Sequence, residues 1–127
     1  MDCLNQKGFT LIELISVMII MGVVASVSIQ KFEMVSDTAG QRALDLGIKE
    51  LNIRESLTWS NMKISVDGYT NDADLWSAVL PDLDLGGKYH WNPGPDISAG
   101  GTLHFNSNSI ALNRQPSTTT SAGTWEP

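Results

Sequence analysis

Between Phe9 and Ile29 the chain has 21 residues and one charge, the carboxylate of Glu13. A carboxylate at the centre of a membrane-spanning helix costs roughly 2.5–3.5 kcal/mol and is ordinarily paired. The run itself contains no Lys or Arg. Two readings follow. Either Glu13 lies close enough to the interface to reach water, or its counter-ion comes from elsewhere. A free amine at the start of the same run in a second copy would serve.

The other residues able to do chemistry are few. His90 and His104 sit in short alternating runs, opposite in parity to their apolar neighbours, and are expected to face solvent. They could share a metal only if their strands adjoin. Without a clustered third ligand the zinc pattern is missing, and no metal is expected there. Asp82-x-Asp84-x-Gly86-Gly87 has the alternating acids and glycines of an oxygen-rich loop. The spacing does not complete a calcium coordination set, so Asp82 and Asp84 stand as calcium candidates beside the preferred reading of a turn. Gly86-Gly87 and Gly100-Gly101 lack the Lys and the strand-to-helix setting of a phosphate cradle. No serine lies in a nucleophile motif. Neither an enzyme nor a resident cofactor is expected.

Composition narrows the function classes. The chain has 127 residues, 42% hydrophobic and 17% charged, and a net charge of -6. That is too apolar for a disordered chain and too polar for a multi-span membrane protein. Residues 30–66 hold five bases and five acids, whereas residues 67–127 hold two bases and seven acids. An acidic carboxyl-terminal region gives no electrostatic reason to bind nucleic acid. Only a spatial cluster of Lys63, Lys88 and Arg114 would change that.

The elements that position Glu13 are legible. As a helix, 21 residues rise about 31 Å, the thickness of a bilayer's hydrocarbon core. The run is longer than the apolar core of an ordinary secretory signal, which also has no use for a carboxylate. Lys7, just before it, favours a cytoplasmic amino end. A single-span protein is expected, with its carboxyl-terminal region outside the cytoplasm.

Lys7-Gly8-Phe9-Thr10-Leu11-Ile12-Glu13-Leu14-Ile15 at the head of this run resembles the processing site of type IV prepilins and type II secretion pseudopilins. The resemblance covers about 25 residues. It implies a leader over 1–8, cleavage between Gly8 and Phe9 by a membrane prepilin peptidase, and N-methylation of Phe9. Lys7 would hold the leader in the cytoplasm. Gly8, lacking a Cβ, would leave the cleavable peptide accessible. Phe9 would supply a new ammonium whose charge survives methylation, and Glu13 would accept that ammonium from a neighbouring subunit. Implied partners are copies of itself, other pilin subunits, the peptidase and an inner-membrane assembly platform. Implied locations are the bacterial inner membrane, then a periplasmic or extracellular filament. Cleavage would also remove Cys3, the one cysteine. Many type IV pilins instead close a carboxyl-terminal loop with a disulfide, and many kink the helix with a proline that residues 9–60 lack.

From Gln30 the chain stays helical in pattern until Asp67-Gly68. Glu50/Arg54 and Asp45/Lys49 are acid-before-base pairs four apart. Gly40 and Gly47 each weaken a helix by roughly 1 kcal/mol relative to Ala, which leaves room for a local bend or melted turn there. At about 100° per residue, Leu44, Ile48, Leu51 and Met62 share one side, and Leu46, Ile53, Leu57 and Ile64 the other. Two apolar stripes suggest two partners, the chain's own head and neighbouring subunits; the alternative is a helix enclosed by its own small domain.

In the head, Asn71-Asp72 can cap a helix over 73–80 that Pro81 stops. Tyr89/Trp91, Leu103/Phe105 and Ile110/Leu112 then mark three strands, the last two joined by a hairpin at 106–109. The expected fold is α+β and pilin-like. A long amino-terminal helix, transmembrane over 9–29 and extracytoplasmic over 30–64, packs its carboxyl half on a small antiparallel sheet in a head over 67–115. Residues 116–127 read as a loose tail that Trp125 could dock. The expected function is a structural subunit of a type IV pilus or a type II secretion pseudopilus. The rivals are a filament-tip or membrane-tethered module binding DNA or a surface ligand, and a plain single-span anchor.

Overall fold

The computed structural model describes residues 8–127; Cys3 and Lys7, expected in a leader, lie outside them. The chain forms two units, Met1–Ser36 and Asp37–Pro127. One helix, α1 (Leu11–Ile64), contributes to both.

In the first unit every described residue is exposed. Mean hydropathy over an 18-residue window of the helix reaches 2.4, with none of that window buried, so this stretch is long and apolar enough to cross a membrane. A helix that is apolar all round requires an apolar environment all round. Its few hydroxyls fit such a setting. Ser16, Ser26 and Ser28 donate to the carbonyls of Ile12, Val23 and Val24, each at 2.8 Å. Each polar side chain is thereby satisfied within its own turn.

The second unit follows a different logic. Gly40, Leu44, Gly47, Leu51 and Glu55 are the buried residues of α1, a spacing of three and four that selects one face. Helix α2 (Asp72–Val79) is capped by Asn71, whose side chain accepts from the Asp74 amide at 2.9 Å, and a 3-10 turn (Leu80–Leu83) carrying Pro81 ends it. Strands β1 (Tyr89–Trp91), β2 (Gly101–Phe105), β3 (Asn108–Gln115) and β4 (Thr124–Glu126) form one antiparallel sheet in sequential order. Leu44, Leu51, Val79, Leu83, Leu103, Leu112 and Trp125 make the core between helix and sheet. The expected pilin-like α+β architecture is present.

Two expectations are corrected. Gly40 and Gly47 do not melt a turn of α1, which is helical through both; they sit on its buried face, where the sheet approaches closely. A Cβ on Gly40 would lie 1.9 Å from the Asn108 side-chain nitrogen, and one on Gly47 would lie 3.0 Å from the Tyr89 ring. Their helix-propensity cost is offset by that packing. The loose tail is also wrong. Residues 124–126 pair with β3, and Trp125, 1% exposed, fills the core's centre between Trp76 and Trp91, with ring centroids 6.2 and 5.3 Å away. Burial of a large aromatic outweighs the polar, turn-rich composition of 116–123.

Candidate functional site

The start of α1 is built as a reciprocal cap. The Thr10 amide donates to Glu13 Oε2 at 2.8 Å, and the Glu13 amide donates to Thr10 Oγ1 at 3.3 Å. This is a capping box, which satisfies two of the amides that every helix start leaves unpaired. Thr10-x-x-Glu13 carries its sequence signature, a signal the expected roles of Glu13 overlooked. Gly8 and Phe9 precede the helix outside any helix or strand and are exposed, Phe9 with 90% of its surface accessible. Among the described residues nothing lies within 4 Å of a Cβ placed on Gly8. The box draws only on Thr10 and Glu13, so a cut between Gly8 and Phe9 leaves it whole.

Residues 3–29 match the prokaryotic N-terminal methylation motif. That motif marks the type IV pilin and pseudopilin family. No curated protein and no solved structure matches the chain. Proteins of the pilin family are typically structural rather than enzymatic, and the motif implies processing by prepilin peptidase.

In the head, a buried ionic knot holds the layers together. Arg114 on β3 donates from Nε to Glu55 Oε1 at 2.7 Å and from Nη2 to Glu55 Oε2 at 3.2 Å. It also reaches both Asp72 oxygens at 2.8 Å, and its guanidinium lies over the Trp76 ring. Both side chains of the Glu55–Arg114 pair are fully buried. Trp125 Nε1 adds a bond to Glu55 at 3.2 Å, while the Ser117 amide and hydroxyl donate to Asp72. Burial works against the charge on Asp72, but the bonds from Arg114 and Ser117 outweigh it and hold that carboxyl below the usual range. Burial likewise opposes the charge on Arg114, yet Asp72 and Glu55 hold it firmly protonated. The knot thus ties α1, α2, β3 and the Trp125 strand at one point.

The remaining candidates are placed as follows. Arg54 pairs with Glu50 at 2.8 Å, as its spacing suggested, and its Nη1 donates to the backbone carbonyls of both Asp82 and Asp84. The Asp84 side chain accepts from the Gly86 amide at 2.8 Å. The Arg54 guanidinium thus ties helix α1 to the backbone of this turn. Among the described residues no group of three or more ligating side chains gathers to hold a metal. Lys63, Lys88 and Arg114 do not make a basic surface, because Arg114 is consumed in the knot and Lys63 lies 5.3 Å over the Trp59 ring. His90 and His104 do come together, directly opposite each other across β1 and β2.

Proposed function

We propose that this chain is a structural subunit of a type IV pilus or a type II secretion pseudopilus. On this reading it is held in the inner membrane by the apolar part of α1 with its amino end in the cytoplasm. Prepilin peptidase trims it between Gly8 and Phe9 and methylates the Phe9 amine. An assembly platform then moves it into a helical filament of like subunits. Leaving lipid is tolerable because the same apolar surface then packs on other subunits, with little net loss of burial.

The observation that carries this reading is the state of Glu13. It is the single charge in the apolar run over 9–29, and in the described residues its carboxylate engages the neutral Thr10 amide. The charge itself is left for a cation, and the methylated amine of a neighbour's Phe9 is a suitable one. Two measurements test this. Intact mass of the native protein should show loss of residues 1–8 and gain of one methyl group; a full-length, unmethylated chain overturns the processing. Glu13→Gln then separates cap from charge, since Gln also serves a capping box. It should insert and be trimmed normally but yield few filaments, and a normal yield overturns the counter-ion role.

A further inference from the structure

His90 and His104 form a cross-strand pair on the face of the sheet turned away from the core. Their neighbours Tyr89, Trp91, Leu103 and Phe105 pack inward. The two imidazoles are stacked, with ring centroids 4.8 Å apart and planes 14° apart. His104 is not simply a surface ring, because its Nε2 lies 3.1 Å from the Asn92 carbonyl oxygen. A carbonyl can only accept, so Nε2 carries the hydrogen, and in the neutral ring Nδ1 keeps its lone pair. Metal-ligating histidines are commonly held in this way, one ring nitrogen fixed by a backbone carbonyl and the other offered to the ion.

We propose that His90 and His104 form an open, two-histidine site for a borderline divalent transition-metal ion such as Zn2+. Imidazole nitrogens suit such ions, whereas Mg2+ and Ca2+ select oxygen ligands. Two nitrogens on a tetrahedral zinc, each at about 2.0–2.1 Å, lie roughly 3.3 Å apart. Exposed His90 can supply that approach by turning about its side-chain torsions while His104 stays fixed. No third side-chain ligand adjoins the pair among the described residues, so water fills the other positions, or a group from a second molecule does. This site is independent of filament assembly, and its failure would leave the reading of Glu13 untouched.

The test uses the full chain in detergent micelles, with Cys3→Ser to remove the one thiol that could compete. Titration with ZnCl2, followed by calorimetry, should give one saturable ion per chain, with MgCl2 giving none. His90→Ala and His104→Ala should each weaken zinc binding at least about tenfold. Nitrogen NMR of the His104 ring should show zinc shifting Nδ1 while Nε2 keeps its proton. The proposal is overturned if the double variant binds zinc as tightly as its parent, or if magnesium saturates the same site.

Discussion

Two of the four glutamates on α1 have opposite fates. Glu13 lies in the first unit, where every described residue of the helix is exposed, and its carboxylate accepts from the Thr10 amide at 2.8 Å. Glu55 lies in the second unit, fully buried, with a two-pronged Arg114 and the Trp125 indole around it. Both are acids in apolar surroundings, one in an expected bilayer and one in a protein core. In the core, the fold brings the cation with it, and the result is a rigid junction. In the apolar run, no cation is supplied, and the result is a demand that another molecule can meet. The difference separates an interaction that makes the head from one that is available to make an assembly.

Breaking the inner pair should have the largest effect. Arg114→Met keeps much of the volume but leaves Glu55 as an uncompensated buried charge, a change that costs about 3–5 kcal/mol. The tryptophan near-ultraviolet dichroism of the full chain in detergent should collapse at much lower urea. Adding Glu55→Gln should recover part of the loss. An unchanged midpoint for Arg114→Met would mean that the knot holds nothing.

Acid probes the same junction more gently. Asp72 has a folded-state pKa below its unfolded value, so its stabilisation is present above the unfolded carboxylate range and lost as pH falls through the folded pKa. The head should therefore lose stability progressively below about pH 4. Asp72→Asn should cost about 1.5–3 kcal/mol at neutral pH, the range for a hydrogen bond to a charged group. It should also flatten the acid limb, with Arg114, Glu55 and Ser117 the groups that face the change. A variant that keeps the wild-type acid limb would remove Asp72 from the account.

Much of this organisation was legible beforehand. Alternation in 89–91, 103–105 and 110–112 and the Asn71 cap placed three strands and α2 correctly, because each rests on local periodicity or on one side-chain bond. The knot was missed for a different reason. Glu55 falls at the helical angle of Leu44 and Leu51, and Arg114 has the inward parity of Ile110 and Leu112. Each pattern by itself flags a charge on a buried face. Pairing them requires knowing that residues 59 positions apart meet, which no local rule supplies. Trp125 was obscured in the same manner, since its strand is three residues long and exists only because β3 offers an edge. At the amino end the reverse held. The processing motif is contiguous, and so was the overlooked capping box.

The smallest expected effect tests the two faces of α1 within the head. Leu51 is fully buried, whereas Leu57, on the opposite stripe with Leu46, Ile53 and Ile64, is 58% exposed. Leu51→Ala should destabilise the head by about 2–5 kcal/mol, since it empties a packed core site. Leu57→Ala removes the same atoms from a mostly exposed surface, and should shift stability by no more than about 0.5 kcal/mol. If that stripe meets neighbouring subunits, as two apolar faces on one helix suggest, Leu57→Ala should nevertheless lower filament yield in cells with trimming unaffected. A stable, trimmed variant with full filament yield would assign the stripe to solvent and leave assembly to the apolar run around Glu13.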